Sequence, residues 1–257
     1  MTTEPTPPSP SPPALVLVAH GSRDPRALDT VHALAARVRA LRPDIPVHLG
    51  HIELNAPLLP DTLATLPDTE TDTETDTETD TDAVLVPLLL SRGHHVKRDI
   101  PDIAATASAR TALAAPLGPH PLLVTALHDR LRAATGPYPP SAVVLAAAGS
   151  RDPDAVRDTT RTARLLSARL GLPVLPGYAS AARPTVPEAF AALRAHGHDR
   201  IAMASYFTAP GRFATESALH CPGPAAAPLG AHPAMARLVL TRYTEARATT
   251  RTPLLTT

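Results

Sequence analysis

The fold of this chain is decided by one stretch, Leu15-Val16-Leu17-Val18-Ala19-His20-Gly21-Ser22-Arg23-Asp24-Pro25. Its first five residues are aliphatic, which predicts a buried β-strand. Asp24 is a favourable helix N-cap and proline is well tolerated at the first helical position, so a helix is expected to begin at Pro25. His20 therefore lies where a strand turns into a helix. In an open α/β sheet, ligands bind at that edge.

The same order of residue types returns at Ala142-Val143-Val144-Leu145-Ala146-Ala147-Ala148-Gly149-Ser150-Arg151-Asp152-Pro153. Further glycines recur in step, because Gly50 matches Gly177 and Gly93 matches Gly211. The offset between matched positions shrinks along the chain, as expected if the first half carries an insertion. The chain is therefore predicted to contain the same structural unit twice.

Apolar periodicity and breaker residues predict alternating strands and helices in each half. Besides the two strands just quoted, strands are expected at 47–54, 83–90, 113–117, 173–179 and 200–207. Helices are expected at 24–41, 56–66, 101–110, 120–134, 152–170, 187–196 and 232–247. This alternation predicts two α/β domains with parallel sheets, at 14–135 and 141–247, joined by a short linker.

Composition excludes several classes of protein. Lys plus Arg and Asp plus Glu both number 24, so the net charge is zero and no basic excess indicates a nucleic-acid partner. The single cysteine, Cys221, cannot form an internal disulfide, which favours a reducing cytoplasm. Residues 1–13 hold six prolines and resemble neither a signal peptide nor a membrane span. They are predicted to be a disordered tail, residues 248–257 are predicted to be a C-terminal tail, and a monomer is expected.

Residues 68–82 alternate threonine with aspartate or glutamate and hold eight of the 24 acidic residues. Such a block repels itself and cannot bury a core, so it is predicted to be a solvated, disordered loop. A carboxylate-rich tract can also hold hard cations weakly, but an expanded surface loop is the preferred interpretation.

The two halves share their glycines, prolines and caps but differ at the potential ligands. Because the second half is expected to fold without these side chains, the first-half versions are candidates for function at the strand ends. The differing positions are His20 (Ala148 in the second half), Glu53 (Ser180), His95 (Phe213), His51 (Tyr178) and His94 (Arg212).

Two imidazoles and a carboxylate at the ends of neighbouring strands indicate metal binding or acid–base chemistry. Imidazole suits Fe, Co, Ni and Zn, and a pair of them leaves most of the coordination sphere open, whereas structural zinc takes four protein ligands. His20, His95 and Glu53 are the predicted set. His94 is the weaker of two adjacent histidines, and His51 is read equally well as a half-buried strand residue.

Other polar residues have two interpretations each. Arg23 and its counterpart Arg151 either pair with a nearby carboxylate or bind an anion. Lys97 and Arg98 either begin a solvated helix or place positive charge at a cleft mouth, which suits a polycarboxylate ligand. His120 and His232 occur in both halves and are predicted to be structural residues at helix starts.

Three motifs together carry a family resemblance. They are the strand ending in Ala-His-Gly-Ser-Arg-Asp-Pro, Glu53 followed four residues later by Pro57, and Pro-Leu-x-Leu-x-x-Gly-x-His-Val-x-x-Asp-Ile-Pro at 87–101. They resemble the class II chelatases of the sirohydrochlorin (CbiX) type over residues 14–247. The resemblance implies two flavodoxin-like domains facing each other across a cleft, with the site in 14–135 and a degenerate copy in 141–247.

The resemblance also implies an activity. Members insert Co²⁺ or Fe²⁺, and in some cases Ni²⁺, into sirohydrochlorin or its precorrin precursor without ATP, so the metal is a substrate and no tightly bound cofactor is expected. The family's metal-site histidines correspond to His20 and His95, and its active-site acid to Glu53. Together with the positions of the basic residues, it predicts tetrapyrrole binding by Ser22, Arg23, Lys97 and Arg98.

Two alternatives compete with this interpretation. A non-catalytic metal or tetrapyrrole carrier would use the same histidines. A phosphate-binding α/β enzyme would use the Gly-Ser-Arg turn at the helix start, although no Gly-x-Gly-x-x-Gly or Walker sequence supports a nucleotide.

Overall fold

The computed structural model describes residues 12–66 and 81–250. Residues 1–11, 67–80 and 251–257 lie outside the described residues, and they hold most of the predicted tails and of the predicted acidic loop. Among the described residues, no helix is both long enough and apolar enough to cross a membrane.

Two parallel sheets form the framework, which confirms the predicted α/β class. The first half contains β1 (Ala14–Ala19), α1 (Pro25–Leu41), β2 (Val47–His51), α2 (Leu59–Ala64), β3 (Ala83–Pro87), a π-helical turn (His95–Asp99), α3 (Ile100–Ala105), β4 (Thr111–Leu113) and α4 (Pro121–Thr135). The second half contains β5 (Ala142–Ala147), α5 (Pro153–Leu170), β6 (Val174–Tyr178), α6 (Val186–Ala195), β7 (Ile201–Tyr206), α7 (Arg212–Leu219) and α8 (Pro233–Thr250). The strand orders are β2-β1-β3-β4 and β6-β5-β7.

The two strand-to-helix turns have the local structure that their sequences predict. The side chain of Asp24 accepts a hydrogen bond from the backbone N–H of Arg26 and so caps α1, which begins at Pro25. Asp152 caps α5 in the same way. Each cap therefore satisfies an otherwise free donor at the helix start.

Glycine is required in these turns for a steric reason. Gly21 has a φ of +100°, and a Cβ there would lie 1.8 Å from the carbonyl oxygen of Glu53. Gly149 has a φ of +90°, and its Cβ would meet the carbonyl of Ser180 at the same distance. The close approach lets the backbone N–H of Glu53 donate to the carbonyl of His20, at 3.1 Å. Glycine thus brings the loop after β2 against the turn after β1.

Replacing Gly21 with alanine is expected to cost roughly 3 kcal/mol of unfolding free energy, because the new Cβ overlaps backbone that cannot move aside. Chemical denaturation of Gly21→Ala against the parent measures this cost. Gly171→Ala is the matched control, since Gly171 has a φ of +67° but open space around its Cβ, and about 1 kcal/mol is expected there. Equal losses in the two variants would contradict the steric explanation.

The last helix of each half packs against the sheet of the other half. Helix α4 packs against α5 and β7, whereas α8 packs against β3, β4 and α1. One apolar core consequently runs through both halves, from Leu17 on β1 to Leu145 on β5 and Val239 on α8. The hydroxyl of Tyr243 donates to the carbonyl of Pro13 at 2.6 Å, which fixes α8 to the start of the first half. The sequence comparison predicts both helices but not this exchange.

Several element boundaries differ from the sequence-based prediction. Strand β2 ends at His51 and β3 at Pro87, each three residues early, so Glu53 lies in a loop rather than on a strand face. The predicted strand at 113–117 is instead the shorter β4, and the predicted helix at 101–110 ends at Ala105. Helix α7 was not predicted, and α8 continues through Thr250, three residues into the predicted C-terminal tail.

Candidate functional site

His20 and His95 come together at the carboxyl edge of the first sheet. His20 directly follows β1, and His95 begins the π-helical turn that follows β3, the neighbouring strand. The centroids of their rings are 4.6 Å apart, and the rings are nearly perpendicular, at 88°. The structure therefore unites the two predicted metal ligands, one from each of two adjacent strands.

Glu53 lies beside this pair. Its Oε1 is 3.5 Å from Nδ1 of His20, and the two side chains are 52% and 41% exposed. Nδ1 of His20 is also 3.3 Å from the carbonyl oxygen of Gly21. The carboxylate is close enough to influence the imidazole and open enough to exchange protons with solvent.

Asp99 is a fourth member of the site that the sequence analysis did not single out. Its Oδ2 is 2.5 Å from Nδ1 of His95, and its Oδ1 is 3.4 Å from Nε2 of His94. When the Nδ1–H group of His95 donates a hydrogen bond to this carboxylate, Nε2 carries the lone pair that a metal needs. The sequence could have indicated this contact, because His95 and Asp99 are four residues apart, a spacing that places two side chains on one face of a helical segment.

Asp99→Asn is expected to weaken Co²⁺ binding by about 10- to 100-fold, because the neutral amide no longer supports the basicity and orientation of the His95 ring. Titration of the apo-protein with Co²⁺ measures the affinity. Asp102→Asn, an exposed change in α3, is the matched control. If both variants bind Co²⁺ as tightly as the parent, Asp99 does not orient His95.

Three other histidines, His51, His120 and His232, have structural contacts. His51 is buried, and its Nδ1 is 3.1 Å from the carbonyl oxygen of Pro57. Burial lowers the pKa of His51, so the neutral ring is favoured there. His120 and His232 each accept a hydrogen bond from a backbone N–H two residues on, at the starts of α4 and α8. These contacts confirm their predicted role as helix-start residues.

Two cavities lie between the halves, and His20 lines both of them. The larger, of about 1010 Å³, is bounded by the turn after β1, the loop after β2 and residues 207–214 of the second half. The smaller, of about 400 Å³, is bounded by residues 88–95 and by the turn after β5. His95 lines the smaller cavity, whereas Glu53 lines the larger one. The candidate metal site therefore lies between the two cavities.

Ion pairs join the His95 segment to the second half. The guanidinium of Arg92 binds Asp158 through two hydrogen bonds of 3.0 and 2.8 Å, and the backbone N–H of Arg92 also donates to this carboxylate, which is only 4% exposed. The amine of Lys97 contacts Asp152 and Asp154, both at 2.8 Å. Its ammonium lowers the pKa of both carboxyl groups.

Of the four predicted substrate-binding residues, Ser22 and Arg23 line the larger cavity, whereas Lys97 and Arg98 line neither cavity. Ser22 shapes its turn, since its N–H donates to Asn55 and its hydroxyl accepts from the N–H of Asp24. Arg23 is exposed and lines the larger cavity. Arg98 is exposed in the π-helical turn, whereas the Lys97 amine already has two carboxylate partners and would have to exchange them to bind a ligand.

Within the described parts of the chain, no cluster of three or more His, Cys, Asp and Glu side chains is arranged to hold a metal ion. The predicted metal ligands are instead a pair of imidazoles, His20 and His95, and two protein ligands would leave most of a metal's coordination sphere open.

Comparison with known proteins places this geometry in a family. The CbiX family profile matches residues 14–134 and 142–246, which is most of both halves. The chain belongs to the CbiX family. Within it, this chain is 31% identical over 188 residues to a sirohydrochlorin ferrochelatase of Bacillus subtilis (strain 168), covering 70% of this chain and 68% of the relative.

Two further relatives of this CbiX chain agree. A sirohydrochlorin cobaltochelatase of Methanococcus maripaludis is 33% identical over 90 residues, covering 35% of this chain and 56% of the relative. The solved structure of SirB from Bacillus subtilis with Fe³⁺ superposes with a TM-score of 0.72 at 26% identity, covering 92% of this chain and 96% of that one. That likeness confirms the predicted two-unit chelatase architecture.

Proposed function

We propose that this protein is a sirohydrochlorin chelatase that inserts a divalent metal, Co²⁺ or Fe²⁺, into sirohydrochlorin or a related precorrin without ATP. The observation that carries the proposal is the His20–His95 pair, with ring centroids 4.6 Å apart, between two cavities. Relatives named as ferrochelatase and cobaltochelatase support the same reaction.

In this mechanism His20 and His95 hold the incoming metal, which is a substrate. Asp99 on one ring and Glu53 beside the other orient the pair. Two protein ligands leave coordination positions for the pyrrole nitrogens, so the ion can pass to the ring without first becoming free. Holding ion and ring at contact distance supplies much of the rate.

Insertion releases two protons from the pyrrole nitrogens. Glu53 is in place to accept them, because it lies 3.5 Å from His20 and its side chain is 52% exposed, so the carboxylate can pass a proton on to water. The His20 ring can accept a proton only after its lone pair has released the metal.

The tetrapyrrole fits the larger cavity, whose 1010 Å³ is at the upper end of the usual range for ligand pockets of about 300–1,000 Å³. We assign its carboxylates to Ser22, Arg23, Lys97 and Arg98. Arg23 is the best placed, since it lines this cavity and is exposed. Lys97 would contribute by leaving Asp152 and Asp154.

We further propose that the protein acts as a cytoplasmic monomer, without a tightly bound cofactor and without nucleic-acid or membrane partners. Its balanced charge and single cysteine support this proposal. The exchanged helices α4 and α8 support the monomer, because each half already covers the other half's sheet.

The direct test is anaerobic incubation of the protein with sirohydrochlorin and Co²⁺ or Fe²⁺, followed through the tetrapyrrole absorption spectrum. Many turnovers above the rate without protein are expected. Binding of one equivalent of metal or tetrapyrrole without faster insertion would contradict the proposal and identify a carrier instead.

A further inference from the structure

The larger and the smaller cavity each have a mouth between the two halves. The segments that form one mouth correspond, in the internal repeat, to those that form the other. At each mouth, the turn after the first strand of one half meets the glycine loop that follows β3 or β7 in the other half. A Cβ on Gly93 would lie 3.8 Å from Oγ of Ser150, and a Cβ on Gly211 would lie 3.6 Å from Oγ of Ser22. The second contact brings the neighbouring residues Arg23 and Arg212 to the mouth of the larger cavity.

Ion pairs join the two halves beside the smaller cavity. Arg92 and Lys97, on the first-half loop, bind Asp158, Asp152 and Asp154 on α5. One of these carboxylates, Asp158, is buried, so that pair is held by charge-assisted hydrogen bonds in a site of low solvent access.

The larger mouth cannot form the equivalent pairs. The positions that correspond to Arg92 and Lys97 hold Pro210 and Thr215, which are uncharged. On α1, Thr30 corresponds to Asp158 and Arg26 to Asp154, and Arg26 instead pairs with Asp24 at 2.7 Å. The substitutions between the two copies therefore leave the larger cavity, of about 1010 Å³, without the ion pairs found beside the smaller one.

Arg212 presents its charge at this open mouth. Its side chain is 73% exposed, and its Nε is 4.0 Å from Oε1 of Glu216, a weak surface pair. Its guanidinium carbon lies 4.7 Å from the centroid of the Phe213 ring, which limits the freedom of the cation. The exposed side chain of Leu54 lines the same cavity and offers an apolar surface. An apolar wall with cations at the rim is complementary to a flat macrocycle that carries carboxylates.

We propose that Arg212, supplied by the degenerate half, binds a peripheral carboxylate of the tetrapyrrole in the larger cavity, opposite Arg23. The proposal rests on the proposed function for the identity of the ligand. A guanidinium is suited to this role because its planar donors bind a carboxylate through two parallel hydrogen bonds. The second half is then a contributor to substrate binding and not only a wall.

The test compares Arg212→Met and Arg212→Lys with the parent, and with Arg194→Met as an exposed control on α6. Arg212→Met is expected to weaken sirohydrochlorin binding, measured by absorption titration without metal, by about tenfold or more. Its KM for sirohydrochlorin should rise similarly, while kcat and Co²⁺ affinity stay within twofold of the parent. Arg212→Lys should retain part of the affinity, because it keeps the charge but loses the planar fork.

A second readout separates a lost carboxylate contact from a general disturbance of the cavity. For the parent, esterifying the tetrapyrrole's carboxylates should weaken binding, and Arg212→Met should lose less on esterification than the parent does. If Arg212→Met and Arg194→Met bind the free acid equally well, the inference is overturned. If the parent shows no chelatase turnover, the proposed function is wrong. The role of Arg212 is tested separately, because the titration without metal measures tetrapyrrole binding and not turnover.

Discussion

His95→Ala and His20→Ala are each expected to lower metal insertion by at least about 100-fold, a larger loss than a change in a ligand's supporting residue produces. Each variant leaves one imidazole, which cannot hold a divalent ion in a defined position between the two cavities. The measurement is the initial rate of sirohydrochlorin metallation under anaerobic conditions, at several metal concentrations. His220→Ala, an exposed change at the end of α7, is the control and should retain the parent rate.

Both variants should stay folded, because the side chains of His20 and His95 are 41% and 35% exposed and lie at the ends of strands that other residues hold. In the second half, the turn after β5 has Ala148 at the position of His20, so this turn forms without an imidazole. Turnover equal to that of His220→Ala in either variant would contradict the assignment of the metal site.

Arg92→Met is expected to lower the free energy of unfolding by about 3 kcal/mol, which corresponds to roughly 6–12 °C in Tm for a chain of this size. The change leaves the Asp158 carboxylate buried without its cation. Thermal unfolding measures the effect.

The same variant should also bind Co²⁺ more weakly, since Arg92 fixes the segment that carries His95. Lys97→Met is the matched comparison. Its ion pairs are more exposed, so a clearly smaller loss of stability is expected. If Arg92→Met is as stable as Lys97→Met, then the Asp158 pair does not hold the two halves together.

Local features of this protein could be predicted from sequence because they depend on neighbours in the chain. The cap at Asp24, the proline after it and the position of His20 at a strand end follow from rules that act over a few residues. The internal repeat adds a comparison that separates scaffold from candidate ligands. The structure gives the reason why both halves have glycine at this position. The carbonyl of Glu53 approaches Gly21 closely, and that of Ser180 approaches Gly149.

The remaining features depend on contacts between distant residues. Arg92 and Asp158 are 66 positions apart, and nothing local in either segment indicates that they meet. The exchange of α4 and α8 depends on which sheet each helix covers, and an apolar helix face fits either sheet. Arg212 was recognised only as the counterpart of His94, because its place beside the first-half turn requires knowledge of how the halves face each other.

The histidine pair should pass its metal to the ring without releasing a free ion. The protein is loaded with one equivalent of Co²⁺ and mixed anaerobically with sirohydrochlorin in the presence of excess chelator that captures any free ion. Metallation of the ring in a single turnover is expected for the parent and not for His20→Ala or His95→Ala. Complete capture of the ion by the chelator, with no metallation by the parent, would contradict it.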